Sequence, residues 1–131
     1  LSGATIASLT ASVPMLRGLG IEAIYAHVQR LHDQLEAPLV GLGFRSLRSR
    51  DPERRSGILS FMPPAGKLSP QLAAALSDRG IVCAPPDGVL RFSAHFWNGL
   101  DEAPLVIDAV RSVLDGASNV AVRSTAVNSA R

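Results

Sequence analysis

Arg91, Ser93 and His95 stand at alternate positions of an otherwise apolar run, and they are the side chains of this sequence whose types and spacing could do chemistry. In an extended strand successive side chains point to opposite faces. Val89, Arg91, Ser93 and His95 would then share one face, and Leu90, Phe92, Ala94 and Phe96 the other. The apolar side packs, which leaves the polar side free to meet a ligand. A guanidinium is a rigid fork of donors that matches a carboxylate or a phosphate, and a strand keeps it pre-aimed. Arg91 is therefore a candidate anion anchor. His95 could touch the same substrate or a cofactor phosphate, although packing or capping explains a histidine there equally well.

The other reactive side chains offer less. Lys67, the single lysine, lies in the loop Pro63-Pro64-Ala65-Gly66-Lys67-Leu68-Ser69 and reads as a solvated loop residue. The single cysteine, Cys83, sits in the apolar run Ile81-Val82-Cys83-Ala84 and reads as a small buried hydrophobe. One cysteine builds no internal disulfide framework, and a reduced, cytoplasmic setting is the default expectation. His27, His32 and His95 show no ligand spacing with carboxylates or with Cys83, so no metal site is expected.

The elements that must position these residues follow from the pattern. Residues 6–16 read as a helix bent at Pro14, followed by a pause at Gly18 and Gly20. Ile21, Ile24, Val28, Leu31, Leu35, Leu39 and Leu42 recur at steps of three and four, the stripe of a second, amphipathic helix that Pro38 should kink or end. Gly41 and Gly43 precede an alternating strand at residues 44–48, whose hairpin partner is residues 58–62 across Asp51-Pro52-Glu53-Arg54. Ser69 as N-cap and Pro70 at the first helical position open a third helix, with Leu72, Ala73 and Leu76 inward and Gly80 as terminator. Residues 81–84 and 89–95 then form a second hairpin through Pro86-Asp87-Gly88. A last helix capped by Asp101 places Pro104 in its first turn and Ala103, Val106, Ile107, Val110, Val113 and Leu114 on one stripe. After Gly116 the pattern stops, and residues 117–131 read as a disordered tail.

Helix, hairpin, helix, hairpin, helix is an α+β plan: a two-layer sandwich in which helices cover one face of a small, mainly antiparallel sheet. A length of 131 residues, 47% apolar, supports one compact domain with a core. No run of apolar residues is long enough for a membrane span, and no membrane partner is expected. Arg45, Arg48, Arg50, Arg54 and Arg55 could mark a nucleic-acid surface. Asp51 and Glu53 interrupt them, no aromatic residues interleave, and the net charge is only +2, so a solvated hairpin is the better reading.

Leu90-Arg91-Phe92-Ser93-Ala94-His95-Phe96-Trp97-Asn98 with Asp101-Glu102, preceded by Gly80-Ile81-Val82, resembles the end of class V aminotransferases. These are fold-type I pyridoxal-phosphate enzymes, a group that includes cysteine desulfurases, kynureninase and isopenicillin N epimerase-like proteins. The likeness extends to Gly18-Leu19-Gly20-Ile21-Glu22-Ala23-Ile24-Tyr25-Ala26-His27 and to Arg55-Ser56-Gly57-Ile58-Leu59-Ser60-Phe61, and covers roughly residues 3 to 116.

The resemblance implies a C-terminal small domain at residues 21–116, with residues 1–20 leading from a large domain of the same polypeptide, absent here. It implies homodimers of the intact protein, pyridoxal phosphate as cofactor, an amino-acid substrate and Arg91 gripping the substrate α-carboxylate. Trp97 departs from the family's usual Tyr, and an indole N–H only donates. The family's cofactor lysine has no counterpart, because the sequence around Lys67 does not match, so the chain holds no catalytic residue and is expected to be inactive alone. Desulfurases use a loop cysteine in this region; Cys83, in a tight hairpin, argues against a desulfurase-type lyase. That lyase and a non-enzymatic ligand-binding or interaction module are the alternatives to an aminotransferase-like enzyme.

Overall fold

The computed structural model describes residues 3–128, and the side chains of residues 7–116. Four helices and three strands follow in the order α1 (Gly3–Leu19), α2 (Ile21–Gly41), β1 (Arg45–Ser46), β2 (Leu59–Met62), α3 (Ser69–Ser77), β3 (Leu90–Phe92) and α4 (Glu102–Asn128). Short 3₁₀ turns at Pro52–Arg54 and Pro86–Gly88 lie in the connections. The sheet is antiparallel, in the order β1-β2-β3, and α2, α3 and α4 pack together with it in the two-layer α+β arrangement expected.

The period-two pattern of β2 decides which face is covered. Leu59 and Phe61 are fully buried while Ser60 and Met62 are half-buried, and on β3 the buried Leu90 and Phe92 flank a half-buried Arg91. Against the apolar face lie Leu31, Leu35 and Leu39 of α2, Leu72, Ala73 and Leu76 of α3, and Ala103, Val110 and Val113 of α4. Phe61 anchors the centre, edge-on to Phe44 at 6.0 Å and to Phe92 at 6.2 Å. Burying each such side chain contributes about 1.5–3 kcal/mol.

Two helix ends deliver the chain to the sheet by the same device. Gly43, at φ 92°, lets the Phe44 N–H reach the Leu39 carbonyl and its own N–H the Val40 carbonyl. Gly80, at φ 78°, does the same with Ile81 on Leu76 and its own N–H on Ser77. Both are the glycine-dependent terminator in which a left-handed residue satisfies the last carbonyls. Because that terminator acts at Gly43, α2 runs past Pro38, which sits in its final turn instead of ending it.

Other expectations need correction. Ser69 is the first residue of α3, not its cap; Leu68 holds the cap position without a side-chain bond. The second hairpin shrinks to a single bridge, Ala84 with Arg91, because Pro85 and Pro86 have no N–H to continue a ladder. β3 stops at Phe92, where its partner β2 begins at Leu59 and no further ladder is offered. α4 begins at Glu102, which leaves Asp101 at the cap position expected, and the Glu102 carboxylate holds the opening by accepting from the Gly99 N–H at 2.8 Å and from the Asn98 side-chain amide at 3.0 Å. α1 makes its contacts with α2 and leaves Leu9 and Val13 exposed, with Leu16 part exposed. The side chains of Ile6 and of residues 117–131, the latter expected as a disordered tail, lie outside what is described, although the α4 backbone continues to Asn128. Among the described residues no helix is long and apolar enough to cross a membrane.

Candidate functional site

Arg91 is the middle residue of β3, the edge strand of the sheet, and is held from both sides. On one side it pairs in register with Ser60 of β2. On the other its backbone N–H donates to the Ala84 carbonyl at 2.8 Å and its carbonyl accepts from the Ala84 N–H at 3.0 Å. Since Leu90 and Phe92 point into the core, the Arg91 side chain rises from the opposite, open face. Its Nε is buried, and among the described residues neither a hydrogen bond nor an ion pair engages the guanidinium. A strand-mounted fork of donors with its bonding capacity unspent is the arrangement that binds a planar anion.

His95 does not share that arrangement. The strand has ended at Phe92, so the alternation that would align Arg91, Ser93 and His95 is broken, and Ser93 is exposed. His95 sits in the turn that follows, its ring stacked on Trp97 at 3.9 Å and edge-on to Phe96 at 4.7 Å. The turn is closed by the Asn98 Oδ1, which accepts from the His95 N–H at 2.9 Å, and it is tied to α2 where His27 Nε2 meets the Asn98 carbonyl at 2.7 Å. His95 Nδ1 is buried without a partner among the described residues, and no hydrogen bond links it to Arg91. The structure therefore fixes Arg91 and His95 separately.

Cys83 is half-buried against the core, and burial pushes its thiol above the ordinary range. That environment keeps the nucleophilic thiolate scarce. Lys67 lies in the loop expected, partly exposed, and lines a cavity of about 300 Å³ with Leu72, Ala75 and Arg79 of the α3 region and Val113 of α4. That cavity belongs to the helical layer, away from the open sheet face. A second cleft of about 290 Å³, lined by Ile81, Phe92, Asn98, Glu102 and Val106 among others, also lies on the core side and does not reach Arg91.

The arginine cluster at residues 45–55 is not the uniformly solvated hairpin its composition implied. The Arg48 side chain is 4% exposed and its Nη1 donates to Asp33 at 2.6 Å and Glu36 at 2.8 Å, while Nη2 donates to the Gln29 amide oxygen at 2.7 Å. Burial would raise the Glu36 carboxyl, but hydrogen bonds from Ser46 and Arg48 outweigh it and hold the group below its usual range. The spacing of Asp33 and Glu36, three apart on one helix face, was the signal for this network. His32, one position from Asp33, is wholly buried with both ring nitrogens unpartnered among the described residues. Among the described residues no group of three or more His, Cys, Asp or Glu side chains could hold a metal ion.

No protein-family model matches the chain, and no curated protein sequence matches it either. Solved structures do. A cysteine desulfurase from Thermococcus onnurineus NA1 superposes with a TM-score of 0.74 at 21% identity, over 82% of this chain and 30% of that one. A NifS-like protein superposes with a TM-score of 0.63 at 19% identity, over 72% of this chain and 29% of that one. The chain thus spans less than a third of the length of these structures and has the fold of that part of them, the fold that the resemblance to class V aminotransferases implied.

Proposed function

We propose that this chain is the small domain of a pyridoxal-phosphate-dependent enzyme of the class V aminotransferase type, and that Arg91 holds the α-carboxylate of its amino-acid substrate. The observation that carries the reading is the Arg91 guanidinium itself, fixed on β3 between the β2 ladder and the Ala84 bridge, aimed from the face opposite the core and without an internal anion among the described residues. The fold likeness to part of a cysteine desulfurase and of a NifS-like protein supports the enzyme class.

The described residues do not by themselves fit the cofactor. Lys67, the chain's single lysine, lies in the helical layer among α3 and α4 and not beside Arg91, so the lysine that binds pyridoxal phosphate belongs to another part of the polypeptide. Bound there, the cofactor supplies an electron sink, and the work of this domain is to hold and orient the substrate. The raised thiol of Cys83 suits it poorly for the nucleophilic role a desulfurase needs, which favours an aminotransferase-like reaction over that lyase.

The test is Arg91→Ala in a polypeptide that joins this chain to its cofactor-binding domain. Affinity for the amino-acid substrate should fall about 100-fold, the loss of a bidentate charge-assisted pair, while the visible absorption of the bound cofactor stays as it was. Unaltered substrate affinity would end the carboxylate assignment.

A further inference from the structure

Arg91 is not the only arginine on the open face of the sheet. The register pairs Arg45 of β1 with Met62 of β2, and Ser60 of β2 with Arg91 of β3. Partners in register lie on one face, and residues two apart on a strand share it, so Arg45, Met62, Ser60 and Arg91 form a single surface with Ala84 at its edge. Two strand spacings and a two-residue offset set the Arg45 and Arg91 Cα atoms roughly 12 Å apart. Extended guanidinium groups from such positions can converge on the two ends of one small molecule. Arg45 is exposed, and among the described residues no hydrogen bond or ion pair engages its side chain. No carboxylate occupies any of the five paired positions of this face to neutralise either cation.

We infer that this face binds a dicarboxylic amino acid, of the aspartate or glutamate class, with Arg91 on the α-carboxylate and Arg45 on the side-chain carboxylate. The inference rests on the reading of Arg91 given above and adds the substrate class. Two fixed positive charges with Ser60 and Met62 between them match a ligand with two negative ends and a short aliphatic link. A monocarboxylate would leave Arg45 unused, and this is the physical basis for discrimination.

The experiment is an NMR titration of the full 131-residue chain at constant ionic strength, following the Nε–H resonances of Arg45 and Arg91 with L-glutamate, L-aspartate and L-alanine as probes. A dicarboxylate should move both arginines in one saturable step and bind about tenfold more tightly than alanine. Arg45→Gln should lower its affinity to that of alanine, and Arg45→Lys should restore part of it; Arg30→Gln, an exposed arginine of α2, should change nothing. If alanine and glutamate move Arg91 with equal affinity and Arg45 stays still, the dicarboxylate inference is overturned while the role of Arg91 stands. If no amino acid moves Arg91, both fall.

Discussion

Arg91 faces Ser60 across the β2–β3 pair, yet its buried Nε finds no acceptor there or elsewhere among the described residues. An unsatisfied buried donor costs the fold about 1–3 kcal/mol. With no bond of its own to repay that cost, the guanidinium is expected to add nothing to the stability of the domain. Replacing Arg91 by Met keeps the aliphatic stem that covers the sheet and removes the orphan donor. The Arg91→Met domain should melt at the same temperature or higher, as read by circular dichroism. A drop worth more than about 1 kcal/mol would mean that the guanidinium serves the fold.

Arg48 also buries an Nε without a partner, but both of its terminal nitrogens are bonded where those of Arg91 are not. Three side chains of α2, Gln29, Asp33 and Glu36, converge on one guanidinium that is 4% exposed, and Ser46 adds a bond to Glu36 at 2.5 Å. An ordinary surface pair is worth at most about 1 kcal/mol. Here the arginine is desolvated and its geometry multiply bonded, so Arg48→Met should cost about 2 kcal/mol in urea unfolding. Asp33 is 58% exposed and recovers hydration when released, which keeps the figure below that of a wholly buried pair. Arg48→Lys should recover less than half, since a point charge cannot replace a fork. A loss under about 0.5 kcal/mol would reduce the network to surface decoration.

What the sequence made legible follows from which forces are local. The stripe of α2 from Val28 to Leu39 and the strand alternation around Leu59, Phe61, Leu90 and Phe92 carry their periodicity in consecutive residues and are buried as read, whereas Ile21, at the start of the stripe, is exposed. Arg91 was legible for the same reason, because its two apolar neighbours fix its face. His95 was not, because strand length depends on where the partner strand stops, a property of residues 30 or more positions away. The network around Arg48 joins residues 12 to 19 positions apart, and composition alone records those residues as charged and solvated. Arg45 gains meaning only from the register that places it on the same face as Arg91.

His32 should make stability depend on pH. Burial and then the nearby charge of Arg48 push its pKa down to about 4, against smaller opposing pulls from Asp33 and Glu36. An imidazole whose folded pKa lies below its unfolded value of 6.5 gives stability that is complete above pH 6.5 and is lost as pH falls toward 4. The shift corresponds to roughly 3 kcal/mol over that window. Glu36, also lowered, adds a loss of the same sign below about pH 4.5 as its carboxyl protonates. Unfolding free energy should therefore decline in urea titrations from pH 6.5 downward. His32→Leu should flatten the upper part of that decline and leave the portion due to Glu36. A variant as pH-sensitive as the parent between pH 6.5 and 5 would exonerate His32.

Ser69 tests how the turn before β3 is held. Ser69 is 2% exposed, and its hydroxyl donates to the Gly88 carbonyl at 2.6 Å, joining the first residue of α3 to the 3₁₀ turn at Pro86–Gly88. That turn carries Asp87 at φ 49°, a conformation costly for a residue with a Cβ, so it depends on outside support. Ser69→Ala leaves the Gly88 carbonyl without this donor and should cost about 1 kcal/mol. Because the Val89 N–H returns to Pro86 and Leu90 follows directly, loosening the turn should also speed hydrogen exchange at Arg91, whose N–H bonds to Ala84. Asp87→Gly relieves the strained position and should restore protection in the double variant. If exchange at Arg91 is unchanged in Ser69→Ala, the placement of the anchor rests on the β2 pairing alone.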